Sequence, residues 1–366
     1  MKVLHIINSL ATGGAEKLIV ETLPLFQEQG VQADVLLLNG SEYPLFKELR
    51  AKNCCRIYSL GKGSVYNPKH IGKIIPYLKE YDLVHVHLFP AQYFAIAAKR
   101  LSFSKKPFVF TEHSTSNRRF QSRRYKMADR IVYNVYTKVI CITEKVKAAV
   151  VKQTALPAKK LTVIQNGVDL EKIRQAKPLS RQILNFTDRD VLILQVSSFQ
   201  EPKDQHTVIR SLQHLPANVK LLLAGDGVLR PQCEQLVAEL KLQERVMFLG
   251  IRSNIPSLLK TADVIVLSSK YEGLSLSSIE GMASGRPFVA SNVPGLAEVV
   301  GGAGILFPQG DDQRLAQEIR RLMEDESYYR QTAAQCQQRA AQYDIHRMVE
   351  QQVALYKSLV KPDSHS

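Results

Sequence analysis

Residues 264–280 read Val-Ile-Val-Leu-Ser-Ser-Lys-Tyr-Glu-Gly-Leu-Ser-Leu-Ser-Ser-Ile-Glu. The aliphatic run Val264–Leu267 lacks polar alternation, as a strand buried on both faces does. Gly273 allows a sharp turn, and Ser275 or Ser277 is placed to cap a helix that runs on to about Ala283. Strand, turn and capped helix make one repeat of a parallel α/β layer. Backbone N–H groups at the start of that helix form an anion site suited to a phosphate or diphosphate. Glu272 precedes the helix and Glu280 lies within it, so two carboxylates flank the same place. A pair of solvated surface glutamates would explain the spacing alone. The preceding strand, Gly273 and the following Met282-Ala283-Ser284-Gly285-Arg286-Pro287 favour a built site.

The same alternation runs outward in both directions. Strands are expected at Val3–Ile7, Ala33–Leu38, Leu83–His87, Phe108–Thr111, Val139–Ile142, Val191–Val196, Lys220–Ala224, Val246–Leu249, Val264–Leu267 and Phe288–Ala290. Helical patterns fall between them, among them Gly14–Glu28, Gln205–His214 and Pro231–Lys241. The fold class is therefore α/β, with two Rossmann-like doubly wound domains. The first is expected over 1–167 and a linker over 168–187, on the Asn166-Gly167 turn and Pro178. The second domain is expected over 188–344. A helix and tail, 345–366, close the sequence and are expected to pack back on the first domain. Ligands of such sheets bind beyond the carboxyl ends of the strands, so the two edges are expected to face each other across a cleft.

The chain has 366 residues, enough for about two domains. Its 45% hydrophobic and 23% charged residues are ordinary globular values and exclude disorder and a small disulfide scaffold. No run approaches the ~20 apolar residues of a membrane-spanning helix, and His5, Asn8 and Ser9 interrupt what would be a secretory signal. The 5 cysteines include no C-x-x-C pair, which points to a reducing, cytoplasmic setting. The formal charge is +15. Residues 1–180 hold 29 basic and 13 acidic side chains, whereas 181–366 hold 20 and 21. Such asymmetry suits a polyanionic partner for the first half.

Its focus is the segment 117–130, where Arg118, Arg119, Arg123, Arg124, Lys126 and Arg130 are interleaved with Phe120, Tyr125 and Met127. This segment is expected to meet an anionic membrane surface or an anionic acceptor, each cation contributing about 1 kcal/mol near the lipid. Nucleic acid is a weaker candidate, since no helix-turn-helix, RNP-type or zinc motif is present.

Across nearly the whole chain the sequence resembles the family-4 retaining glycosyltransferases of GT-B fold, of the bacterial polysaccharide type. The resemblance rests on Gly13-Gly14-Ala15-Glu16, His85-Val86-His87, Thr111-Glu112-His113, Asn166-Gly167-Val168-Asp169, Ala224-Gly225-Asp226-Gly227, and the block from Val246-Met247-Phe248-Leu249-Gly250 to Pro294-Gly295. It implies a metal-independent hexosyltransferase without cofactor. A hexose or N-acetylhexosamine would pass from a nucleotide diphosphate sugar, UDP-linked by family base rate, to a lipid-linked or other saccharide acceptor. The place would be the inner face of the membrane. By the same resemblance Glu272 contacts the donor sugar, Glu280 the ribose, and the amides of Gly273, Leu274, Ser275 and Leu276 the diphosphate. Lys203 matches one of the two cations that grip the diphosphate. Ser198 stands where the other, an arginine, is expected. His113 would contact the transferred sugar as a catalytic group.

Other candidates read from position. Gly13 and Gly14 lie where a strand gives way to a helix and permit close approach of donor phosphate or acceptor, or simply a tight turn. His85 and His87 alternate on a buried strand and are expected as core or cleft-wall residues, since no third metal ligand is spaced with them. Asp188-Arg189-Asp190 spells an Asp-x-Asp metal motif but precedes a strand, and is expected as surface. A leaving diphosphate can be stabilised by a lysine and helix amides without an ion. A nucleotide-sugar epimerase on the same architecture is the alternative enzyme.

Overall fold

The computed structural model describes residues 1–11, 13–113 and 123–360. They form two units. One comprises Met1–Gly167 with the C-terminal segment from Ile345; the other is Val168–Asp344.

The first unit contains β1 (Lys2–Ile7), β2 (Gln32–Leu37), β3 (Ile57–Ser59), β4 (Leu83–His87), β5 (Phe108–Glu112), β6 (Lys138–Cys141) and β7 (Leu161–Val163). The second contains β8 (Val191–Val196), β9 (Val219–Ala224), β10 (Val246–Gly250), β11 (Val264–Leu267), β12 (Phe288–Ser291) and β13 (Ile305–Phe307). Every pairing is parallel, in the orders β3-β2-β1-β4-β5-β6-β7 and β10-β9-β8-β11-β12-β13. The chain order reverses between β1 and β4 in one sheet and between β8 and β11 in the other. Those reversals are where open α/β sheets leave a crevice.

The expected strands are present, and three more join them: β3, β7 and β13. Each has three residues and lies at a sheet edge. An edge strand pairs on one side only and needs neither length nor an unbroken apolar run. That is why the pattern passed over them.

The stretch 168–187 is not a linker. It holds the helix Leu170–Gln175 and a 3-10 turn over Arg181–Leu184. Val168, Ile173, Leu184 and Phe186 are buried in the second unit's core with Leu192, Leu258 and Ile279. Its polar residues and Pro178 had concealed four apolar anchors.

The helix Ile345–Leu359 belongs to the first unit, packed on the helix Gly14–Glu28. Tyr356 is fully buried there, its hydroxyl 2.6 Å from Nδ1 of His85. Among the described residues no helix is long and apolar enough to cross a membrane, and all five cysteines are free.

Candidate active site

In the second unit the loops that follow β8 and β11 run against each other. The amide of Asp204 donates to the Ser268 carbonyl (3.1 Å), that of Lys270 donates to the Pro202 carbonyl (2.8 Å), and Lys203 pairs with Ser269 as an antiparallel bridge. This local zipper at the switch point sets Lys203 beside Glu272. Nζ of Lys203 donates to Oε1 of Glu272 in a short ion pair, with side chains only 16% and 11% exposed. The hydroxyl of Ser269 donates to the same carboxylate oxygen (2.7 Å). Ser269 is in turn held by Ser291 at the end of β12, which accepts from its amide (2.9 Å) and donates to its carbonyl (2.7 Å).

The helix Leu276–Ala283 begins beside this pair, and Ser275 is its cap, accepting from the Ser278 amide. Leu274 and Leu276 lean on the core, which anchors the turn from below. Glu280 lies in the helix, 8% exposed. Two glycines make the close approaches possible. Gly295 has φ +90°, and a Cβ there would fall 2.3 Å from the Glu272 carbonyl oxygen. Gly225 has φ +138°, and a Cβ would fall 2.0 Å from the Ser197 carbonyl oxygen. Side chains at either position would push apart the loops that carry the site.

Lys203 and Glu272 were assigned from sequence to different parts of a ligand; the structure joins them to each other. Ser198 is exposed, and its carbonyl accepts from Nε2 of Gln205 (2.9 Å). Arg252 is also exposed, with Nε donating to Oδ1 of Asn254 (3.2 Å). Asp190 accepts from the amide and hydroxyl of Thr187 (both 2.8 Å) and closes a turn ahead of β8, as its placement suggested. Sequence reasoning gave no role to Ser269 or Ser291. A serine at the end of each of two adjacent strands was the available signal.

In the first unit the helix Gly14–Glu28 starts from an extended Gly13, with no side-chain cap. Asn8, just past β1, bridges to the loop after β4: its Nδ2 donates to the Phe89 carbonyl (2.8 Å) and its Oδ1 accepts from the Ala91 amide (3.2 Å). His113 follows β5 and is half-buried; burial pushes its pKa down to about 4. It is therefore neutral near pH 7. Its ring centroid lies 5.9 Å from that of His87.

The expectation that His85 and His87 stand without a third histidine is corrected. His5 on β1 is in register with His85 on β4. Ring nitrogens of His5, His85 and His87 lie within 4.8 Å of one another. Parallel pairing of two strands supplied what chain spacing could not reveal. Both nitrogens of His85 are already engaged, with the hydroxyls of Tyr356 (2.6 Å) and Thr111 (2.7 Å).

Arg118 and Arg119 lie outside the described residues. Arg123 and Arg124 open the helix Arg123–Val135, and Lys126 is half-buried on it. Tyr125, Met127 and Ile131 of that helix are exposed at 43%, 69% and 54%.

The family model described as Glycosyltransferase Family 4 matches residues 12–172, and that of Glycosyl transferases group 1 matches 176–343. The chain is 26% identical over 317 residues, 81% of its length and 80% of the relative, to UDP-Gal:alpha-D-GlcNAc-diphosphoundecaprenol alpha-1,3-galactosyltransferase of Escherichia coli. It is also 26% identical over 298 residues (78% and 76%) to N-acetyl-alpha-D-glucosaminyl L-malate synthase of Bacillus anthracis. Among solved structures, HepE of Anabaena in complex with UDP and glucose superposes with a TM-score of 0.84 at 25% identity, covering 98% of this chain and 100% of HepE. The two family matches lie one on each Rossmann-like unit, and together with these relatives they establish that the chain belongs to the family-4, group-1 glycosyltransferases of GT-B fold.

Proposed function

We propose that the protein is a retaining, metal-independent hexosyltransferase. It moves a hexose or N-acetylhexosamine from a UDP-linked donor to a lipid-linked or other saccharide acceptor in cell-surface polysaccharide synthesis. The observation that carries this reading is the Lys203–Glu272 pair beside the Ser275-capped helix start. A cation, a carboxylate and helix amides meet at one switch point, and that is the set a sugar diphosphate needs. Support for the donor comes from HepE, solved with UDP and with UDP-glucose. Support for a lipid-linked acceptor comes from the named activity of the Escherichia coli relative.

Departure of a nucleoside diphosphate builds negative charge on its outer phosphate. In this reading Lys203 and the amides of Gly273, Leu274, Ser275 and Leu276 stabilise that charge, and each such donor is typically worth about 10²–10³-fold in rate. Donor binding draws Lys203 toward phosphate and frees Glu272, steered by Ser269, for the sugar hydroxyls. Glu280 takes the ribose, and Gly14 approaches the donor phosphate. The neutral imidazole of His113 contacts the transferred sugar, and the acceptor hydroxyl attacks the face from which the diphosphate departs, giving its proton to the departing diphosphate oxygen. Gly13, the basic residues Arg118, Arg119, Arg123, Arg124 and Lys126, and the exposed apolar residues beside them serve the acceptor and the inner membrane surface.

The test is incubation with a panel of nucleotide sugars and undecaprenyl-diphosphate saccharides, with EDTA present. Release of UDP together with an α-linked product from an α-linked donor is expected. Inverted product, or activity only with added Mg²⁺ or Mn²⁺, contradicts the corresponding part. Interconversion of the free donor sugar without transfer would indicate the epimerase reading.

A further inference from the structure

The first unit holds a small, partly open pocket of about 20 Å³, its polar lining made by His5, His87, His113, Thr22, Asn166 and Gln352 and the rest largely apolar. Three ring nitrogens there are buried without a hydrogen-bond partner in the structure: Nε2 of His5, Nδ1 of His87 and Nε2 of His113. The remaining nitrogens of the first two meet each other, Nδ1 of His5 to Nε2 of His87 at 3.2 Å. Burial holds all three rings neutral, so each has one N–H and one lone pair. The His5–His87 contact uses one of each. Whichever ring donates in it, the pair presents one donor and one acceptor on its open nitrogens.

A water molecule needs about 10–15 Å³ and two to four polar partners. The pocket meets both conditions. We propose that it is a water site, and that His87 is a positioning residue acting through that water on His113. The water accepts from one of the His5 and His87 rings and donates to the other. Oε1 of Gln352 accepts from the Tyr356 hydroxyl (3.3 Å), which leaves the Gln352 amide N–H for the water's second lone pair and the water's second hydrogen for Nε2 of His113. His113 is thereby held in a single tautomer, which fixes whether its other nitrogen donates or accepts. The proposal rests on the reading of His113 as the sugar contact.

The experiment is imidazole ¹⁵N NMR on the full chain labelled at histidine, with turnover measured on the same preparations. Wild type is expected to show one His113 tautomer at pH 7.5. Asparagine keeps a polar atom near the Nδ1 position, whereas glutamine keeps one near Nε2. His87→Asn should therefore retain the single tautomer and recover most of the turnover. His87→Gln and His87→Leu should give mixed tautomers and lower kcat about tenfold at unchanged donor KM, a fraction of what a general acid–base or polarising group supplies. Circular dichroism identifies any variant that fails to fold, and the Gln/Asn contrast then decides alone. An identical His113 spectrum in folded His87→Gln and wild type overturns the proposal. A visible band on adding Co²⁺ to wild type, lost in His5→Leu, would place an ion where the water is assigned and also overturns it. Full activity of His113→Ala would remove the catalytic reading of His113, while the spectra still test the water site.

Discussion

Lowering the pH from 7.5 to 5.5 should strip much of the stability from the first unit. His5, His85 and His87 are packed ring to ring, with centroids 4.2–5.4 Å apart, and none is more than 6% exposed. Burial lowers the pKa of His5 to about 3 and those of His85 and His87 well below 6.5, and their mutual repulsion lowers His85 and His87 further. A depressed folded-state pKa means that the unfolded chain takes up the proton first. The stability these rings contribute is therefore complete above pH 6.5. It is lost as pH falls toward the folded values. At pH 5.5 each such ring costs about 1.4 kcal/mol relative to high pH, and three together about 4 kcal/mol. Half-buried His113 has the same sign and is left out of that figure. A domain typically has about 5–15 kcal/mol in all, so the effect is large. Urea unfolding by circular dichroism gives the total. Hydrogen exchange on peptides covering β1, β4 and β5, corrected for intrinsic rate, assigns it to the first unit. His5→Leu should reduce the loss by about a third. A loss under about 1 kcal/mol between the two pH values would refute the reasoning.

Four further outcomes are expected. Lys203→Ala and Glu272→Ala should each cut turnover by about 10²-fold or more, with their double variant less than additive because each leaves the other unpaired; additive losses in a double-mutant cycle would deny the coupling. Gly295→Ala should destabilise the second unit by about 1–3 kcal/mol and raise the donor KM, since the new Cβ meets the Glu272 carbonyl at φ +90°; an unchanged thermal midpoint and KM would contradict this. Tyr356→Phe removes the hydroxyl bonded to His85 and should cost about 1 kcal/mol in unfolding experiments. Liposomes containing anionic lipid should float the protein, and Arg123→Ala with Arg124→Ala should weaken flotation; equal flotation on neutral lipid would sink the membrane assignment.

Much of the architecture was legible in the chain. Central strands such as Val191–Val196 and Val264–Leu267 are buried on both faces, so their composition announces them. The helix cap at Ser275 and the turn glycines could be read because their chemistry is local. The short edge strands Ile57–Ser59, Leu161–Val163 and Ile305–Phe307 could not, because pairing rather than composition makes them strands. The stretch 168–187 showed turn residues, while its folding depends on Ile173, Leu184 and Phe186 finding the second unit's core.

Sequence by itself determined which residue types stand after each strand: Lys203 after one, Glu272 after another, His113 after a third. It carried the two-unit α/β plan because burial and capping act on neighbours in the chain. Only the tertiary structure decided that Lys203 and Glu272 form an ion pair, that His5 joins His85 and His87, and that Tyr356 reaches back across 271 positions to His85. Those are contacts between strands and helices far apart in the chain, set by sheet order and register, and no local pattern encodes which strand will lie beside which.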